Sequence, residues 1–432
     1  MARRIVRAAG LVVLGGIGWL AATLTRGQDS GAPVVAPPRP PVVSKPPAPL
    51  APPPVTPQTV RPSVDLDKMD EVSRQAYLNA RRAAEWLQRM NTVKGRFLPG
   101  WIPDLKAPLT GDHPLRQAGA AFALARAAAY FKDDNQALCA THAALTLLED
   151  TMPGDKPDLR HPVLPARVVN RLAYSALTVL VVCELPSPAR DLVEKSGQLC
   201  NYLRQQQKED GSFALVDSGE APALDASNAV YPALALYALL RSQRLAPAEW
   251  KLQAARKALP YYRRLARQSL ESACWFATAW AEAFMLTKEK DFAEAALEIN
   301  DWICTLQYER IDAGRPRWFG GFMGWRDGKT SDGDPSITSA DCLRSLAEGC
   351  RVTRVRGDVQ RHDRYVDTLK RGLQFLSTLQ YAEADVQHFA EWYRPTLVGG
   401  FHPSHQDGHL RIDYAQQGLT ALLAYLTSVP GS

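Results

Sequence analysis

"CNYLRQQQKEDGSF", Cys200 to Phe213, is the stretch on which the reading of the chain turns. An amphipathic helix runs through Tyr202 and Leu203, passes three glutamines, and stops at Asp210-Gly211 before Phe213. Three other stretches have the same form. "AAEWLQRMNTVKGRF" ends on Gly95 and Phe97. "NDWICTLQYERIDAGRPRWFGGF" carries Leu306-Gln307, then Trp318, Gly320-Gly321 and Phe322. "KRGLQFLSTLQYAEADVQHFAEWYRPTLVGGF" carries Gly372, Phe375-Leu376, Gln380, then Gly399-Gly400 and Phe401. The shared unit is an aromatic-Leu helix end, a glutamine, a variable loop, and glycine before an aromatic.

Outward from these units the chain reads as helix almost without interruption from about Asp67. Two textures alternate. "DEVSRQAYLNARRAAEWLQRM" and "DRYVDTLKRGLQFLSTLQ" are charged, with apolar residues at three- and four-residue spacing. "PLRQAGAAFALARAAAYF" and "YAQQGLTALLAYL" are apolar nearly all round, and such a helix has to be buried on every face. In order, the predicted pairs are 67–91 with 114–131, 134–150 with 165–184, 188–207 with 225–242, 247–267 with 271–287, 289–307 with 337–353, and 360–380 with 413–427. Solvated helices alternating with buried ones suit two concentric rings, so the fold class is all-α: an α/α toroid of six hairpins over residues 63–432. An open solenoid would need polar caps, yet the last helix is as apolar as the inner ones. Most long loops, 92–113, 151–164, 208–224, 308–336 and 381–412, lead from an outer helix into an inner one. They therefore gather on one face, where sites are commonly built.

The repeated unit resembles the glutamine-aromatic repeat of the terpenoid cyclase and protein prenyltransferase superfamily, whose fold is a ring of α-hairpins. The resemblance implies that the glutamine caps the outer helix, the glycine permits the turn and the aromatic packs beneath. Glycoside hydrolases, sugar epimerases and polysaccharide lyases with six-hairpin toroids use comparable turns. The superfamily's catalytic signatures do not carry over. Squalene-type cyclases have an Asp-rich motif at an inner helix start; here "GDPSITSADCLRSL" offers Asp334 and Asp341 without the run of aspartates. The prenyltransferase zinc set of Asp, Cys and His has no counterpart either: Cys342 follows Asp341, but no His starts the sixth inner helix.

The N-terminal segment 1–26 places Arg3, Arg4 and Arg7 before an uncharged stretch, the order of a signal-anchor or a signal peptide. Residues 27–62 are Pro-rich and read as an extended, disordered linker. Together these predict a domain tethered to a membrane and exported. The formal net charge of +6 arises in this region, where seven basic residues up to Pro62 face Asp29 alone. The remaining domain is near neutral, so the basic balance is no argument for nucleic acid. Seven scattered cysteines suggest no disulfide framework. No cofactor or metal site is expected: His388, His402, His405 and His409 match no zinc signature and read as loop histidines.

Candidate chemistry lies at the mouth. Asp413 of "RIDY" stands where a helix N-cap is expected, and Asp225 and Glu271 are equivalent to it by repeat. Carboxylates projecting from separate hairpins can form an acid/base set, so Asp413, Glu271, Asp225 and Tyr414 are the catalytic candidates. Trp101, Arg116, Arg167, Trp275, Trp318, Asp334, Trp392, His402 and Arg411 are the candidates for binding a glycan or small molecule. Three functions stay open: a carbohydrate-active enzyme (hydrolase, lyase or epimerase) on a surface or wall glycan, a non-catalytic toroid binding glycan or protein, and a terpenoid-cyclase-like enzyme. Two of the carboxylates 225, 271, 334, 341 and 413 meeting in an open cleft would favour the first.

Overall fold

A computed structural model describes residues 66–166, 168–215, 229–326, 328–331 and 333–429. Segments 1–26 and 27–62, Arg167 and Asp225 lie outside them. Among the described residues no helix is long and apolar enough to cross a membrane. All described elements belong to one unit, Val64–Ser432.

The apolar helices form a closed inner ring. They are α2 (Pro114–Phe131), α4 (Arg171–Glu184), α6 (Val230–Ser242), α8 (Leu270–Thr287), α10 (Ser339–Arg356) and α13 (Ile412–Ser428). Each packs on the next, and α13 returns to α2. The amphipathic helices stand outside: α1 (Glu71–Met90), α3 (Asp134–Glu149), α5 (Arg190–Gln205), α7 (Glu249–Arg263), α9 (Lys290–Cys304) and α11 (Val359–Ser377). The fold is an α/α toroid. Outer helices α3, α5, α9 and α11 lie mainly against the inner helix before them in sequence, and α1 mainly against α13. The tight links at Lys132 and Lys288, both left-handed C-caps, turn the chain from inner to outer helix.

Two helices start later than the sequence pattern indicates. α4 begins at Arg171 because Asn170 caps it, its side chain accepting from the Ala173 amide. α6 begins at Val230. A short helix, α12 (Arg394–Leu397), and seven short strands in the loops were not foreseen. The strands are β1 (Gly100–Ile102), β2 (Ala107–Pro108), β3 (Thr151–Pro153), β4 (Arg160–Pro162), β5 (Gly324–Arg326), β6 (Lys329–Ser331) and β7 (Leu410–Arg411). β1 pairs antiparallel with both β2 and β7, so the first long loop is joined to the last at the mouth. The approach needs glycine: a Cβ on Gly100 would stand 1.9 Å from the Leu410 carbonyl oxygen.

The repeated unit has a different role from a helix cap. Gln207 pairs by an isolated bridge with Phe213, Gln307 with Phe322, Gln380 with Phe401, and Asn91 with Phe97. Each glutamine amide then donates twice. Gln207 Nε2 reaches Gly211 O at 3.2 Å and Ala254 O at 2.9 Å; Gln307 Nε2 reaches Gly320 O at 3.0 Å and Thr368 O at 2.9 Å. Gln380 Nε2 reaches Gly399 O at 3.1 Å and Asn79 O at 3.0 Å. The second acceptor always lies on the next outer helix, and for Gln380 that helix is α1. The unit is thus a stitch between neighbouring outer helices, and its last copy closes the ring. The positive-φ glycines sit against that same helix: a Cβ on Gly211, Gly320 or Gly399 would come within 2.1–2.2 Å of the carbonyl of Lys257, Arg371 or Arg82.

Near the C-terminal ends of the inner helices, opposite the mouth, ion pairs cross the ring. Arg241 contacts Glu184 at 2.6 Å, Arg244 contacts Glu282 at 2.8 Å, and Arg126 and Arg351 both contact Glu348. Glu282 is 1% exposed and Glu348 4%. Charges so buried persist only when paired.

Candidate functional site

All six inner helices line one cavity of about 340 Å³ at the mouth end of the ring. α2 gives Leu115, Arg116 and Gly119, and α4 gives Leu177. α6 gives Val230, Tyr231 and Leu234; α8 gives Glu271 and Trp275; α10 gives Asp341. α13 gives Asp413, Gln416 and Gln417, while His113 and Arg411 stand just before α2 and α13. Side chains in the first turns of inner helices point to one centre because those helices all start on the same face. The helix N-terminal partial charges gather there too.

Glu271 stands in the first turn of α8, after the N-cap Ser269. Its side chain is exposed to the cavity, with the inner helices packed around it. Among the described residues it has neither a hydrogen bond nor an ion pair. Enclosure raises its pKa to about 7, the Asp341 charge adds to that shift, and Arg344 opposes it. Asp341 is differently placed. It is 1% exposed, its Oδ1 lies 2.5 Å from Arg344 Nη1, and its Oδ2 accepts from Gln417 Nε2 at 3.4 Å. Burial raises the Asp341 carboxyl, and the Arg344 guanidinium works against that shift. Arg344 is itself fully buried and lies face-on to Trp275, with Cζ 3.6 Å from the ring centroid. When two carboxylates share one cavity, the charge settles on the one with the cation and the proton on the other. Both carboxyls are thus pushed upward; Arg344 favours the charged form of Asp341, and Glu271 has no cation bonded to it.

The third carboxylate is pinned. Asp413 is not the expected N-cap: Arg411 occupies that position and Asp413 lies inside the first turn of α13. Arg411 grips it with two nitrogens, Nε at 3.0 Å from Oδ1 and Nη2 on Oδ2. Arg116 Nε approaches Oδ2 at 3.5 Å. The difference has a physical cause, since the β1–β7 pairing holds Arg411 in extended backbone directly before the helix. Tyr414 is not among the residues lining the cavity; its ring centroid lies 4.3 Å from the Arg411 guanidinium. His113 caps α2, with Nδ1 accepting from the Leu115 amide at 3.3 Å. That bond assigns the ring proton to Nε2. Desolvation and Arg116 lower its pKa, so the imidazole is neutral.

Of the residues singled out in the sequence, the cavity thus unites Glu271, Asp413, Trp275, Arg116 and Arg411. Trp101, Trp318, Asp334, Trp392 and His402 lie elsewhere on the mouth loops. Trp101 packs edge-on to Tyr393 at 6.2 Å. Trp318 stacks beneath Arg315, 4.3 Å from its ring centroid. Asp334 Oδ2 accepts from Gln406 Nε2 at 2.5 Å, and Trp392 is 74% exposed. His402 lines a separate open pocket of about 560 Å³ with His405, Tyr381 and Arg317, its Nδ1 2.7 Å from Ser404 O. Sequence reasoning passed over Arg344 and Gln417. The signal for Arg344 was present: an arginine three residues after an aspartate in an otherwise apolar helix implies a buried pair.

No protein-family model matches the chain, and no curated protein does. Solved structures do. A sugar epimerase from a ruminal bacterium is similar at a TM-score of 0.59 and 11% identity, over 83% of this chain and 100% of that one. An inactive double Asp-to-Asn variant of an α-1,6-mannanase from a Salegentibacter species, in complex with α-1,6-mannotriose, gives 0.57 and 11%, over 83% and 100%. An unsaturated glucuronyl hydrolase specific for heparin gives 0.54 and 14%, over 81% and 96%. The likeness is one of fold: a six-hairpin α/α toroid that these carbohydrate-active enzymes share.

Proposed function

We propose that this chain is a carbohydrate-active enzyme whose acid–base centre is the Glu271–Asp341 pair. The observation that carries the reading is Glu271: a carboxyl lining the cavity, without a partner among the described residues and holding its proton up to about pH 7, beside a second carboxyl that is bonded to Arg344. That is the division of labour glycoside cleavage requires. Glu271 donates its proton to the departing glycosidic oxygen. Asp341, oriented by Arg344 and Gln417, takes a proton from the water that attacks the sugar carbon. Trp275 and Tyr231 supply ring surface along the cavity. The same two groups can also move a proton on and off a sugar carbon, as a lyase or epimerase would. The basic-then-apolar N terminus and Pro-rich stretch support an exported, tethered domain, for which surface or wall glycans are the proposed substrates.

A second reading has its own support. Asp413 is held by two arginines, which fits a cavity that binds a glycan without changing it. The terpenoid-cyclase-like reading asks for a dry apolar chamber, and the arginines and acids lining this one speak against it. Incubating the full chain and its Glu271→Gln variant with a panel of wall glycans and their oligosaccharides, and scoring new reducing ends and altered sugars, separates the readings. The enzyme reading expects products from the wild type and a loss of about 10²-fold or more in the variant. Binding without products, equal in both, would favour the second.

A further inference from the structure

Resting on that reading, we propose that the sugar bound in the ring carries a carboxylate, and that Arg116 and Arg411 recognise it. The cavity is polarised. One wall, α8 and α10, holds Glu271 and Asp341, and the Asp341 charge is cancelled by Arg344. The adjoining stretch of the ring, α13 and α2, holds two guanidiniums against one carboxylate, Asp413, and so keeps an excess of positive charge. Asp413 does not exhaust these arginines. Arg116 uses only Nε, and then at 3.5 Å, leaving both terminal nitrogens without a partner among the described residues. Arg411 spends Nε and Nη2 and leaves Nη1. Both side chains line the cavity and are partly exposed to it.

The rest of that wall suits an anion as well. His113 has given its Nδ1 to the α2 cap, so Nε2–H is left as a donor beside Arg116. Gly119, one turn on from Arg116, leaves room: a Cβ there would already stand 3.4 Å from Gln416 Oε1. Asp413 has a positioning role. It grips the Arg411 guanidinium with both oxygens and lies 3.5 Å from Arg116 Nε, so that two guanidiniums from β7 and α2 stand beside one volume. A planar fork matched to a planar carboxylate is the recognition arginine does best. A neutral hexose would leave their unused nitrogens without an anionic acceptor. A hexuronic acid places its carboxylate on this wall and its ring toward Glu271.

The test is calorimetric binding to the full chain of glucuronic, galacturonic and mannuronic acids, each beside its neutral hexose, followed by uronic-terminated and neutral disaccharides. The free acids and the disaccharides distinguish a monosaccharide site from a chain-end site. We expect the acids to bind at least about 10-fold tighter than their neutral partners, and Arg116→Met to abolish that preference. Arg116→Lys should restore part of it, because charge returns without the fork. Glu271→Gln should keep the preference, since its carboxyl lies on the other wall. Equal binding of acid and neutral sugars, binding of neither at millimolar concentration, or a preference unaltered in Arg116→Met would overturn the proposal. Turnover of a neutral glycan that depends on Glu271 would overturn it too, while leaving the acid–base reading intact. Loss of Glu271-dependent turnover on every glycan is the separate result that removes that reading.

Discussion

Glu271 is the residue on which the chemistry depends, and its environment has a cost that can be measured. Its carboxyl titrates at about 7 in the fold against 4.5 when unperturbed. Between those two values the unfolded chain releases this proton while the native chain keeps it. Stability therefore falls as pH rises through that window, by this group's contribution. Asp341, Arg344, His113, Arg116, Arg411, Asp413 and Tyr231 line the cavity or pair with groups that do, and all enter the balance. Removing the ionisation should help the fold where the native carboxyl is charged. Glu271→Gln is expected to melt higher than wild type at pH 8, with the difference gone at pH 4; a difference independent of pH would show that the carboxyl is not strained by its site. Arg344 supplies the complementary case. Arg344→Met leaves Asp341 buried without its cation and is expected to cost about 3–5 kcal/mol in denaturant unfolding at neutral pH.

At the scale of elements, the stitches carry the ring. Gln380 is 4% exposed, and both its acceptors are backbone carbonyls that have few alternatives. Gln380→Leu should lower stability by about 1–3 kcal/mol, measured by urea unfolding, through unsatisfied carbonyls at the seam between α11 and α1. Gly320→Ala faces both a φ of +83° and the Arg371 carbonyl at 2.1 Å, so it should cost at least as much. These elements also show how far a sequence can be read. The unit around Gln207 was visible as a repeat because its glycine and aromatic recur at fixed places. Its function as a stitch was not, since Ala254 lies far along the chain and no local pattern marks a carbonyl acceptor. The inner and outer helices were legible because burial on all sides and burial on one side leave different periodicities. The β1–β7 pairing was not, since strands of two or three residues have no periodicity to detect. That pairing put Arg411 where Asp413 was expected, and so turned a capping carboxylate into one clamped by arginines.

Across the whole molecule, the two ends of the inner ring differ. The far end is crossed by four arginines and three glutamates in mutual contact, and the mouth end keeps a cavity. Glu282 is the hub of the crossed end, touched by Arg241, Arg244 and Arg351. Glu282→Ala should destabilise the toroid by about 1–3 kcal/mol, read by chemical denaturation, because it removes a buried acceptor shared by three arginines, of which Arg241 and Arg351 keep Glu184 and Glu348. The mouth is where charge is left incompletely matched, and Glu271 lines its cavity without a partner among the described residues. Its protonation can be followed directly by infrared difference spectroscopy, subtracting Glu271→Gln from wild type across a pH series and tracking the protonated carboxyl C=O band. The expected midpoint for that band is about 7. A midpoint at the ordinary value of 4.5 would contradict it, and with it the assignment of Glu271 as the acid of the site.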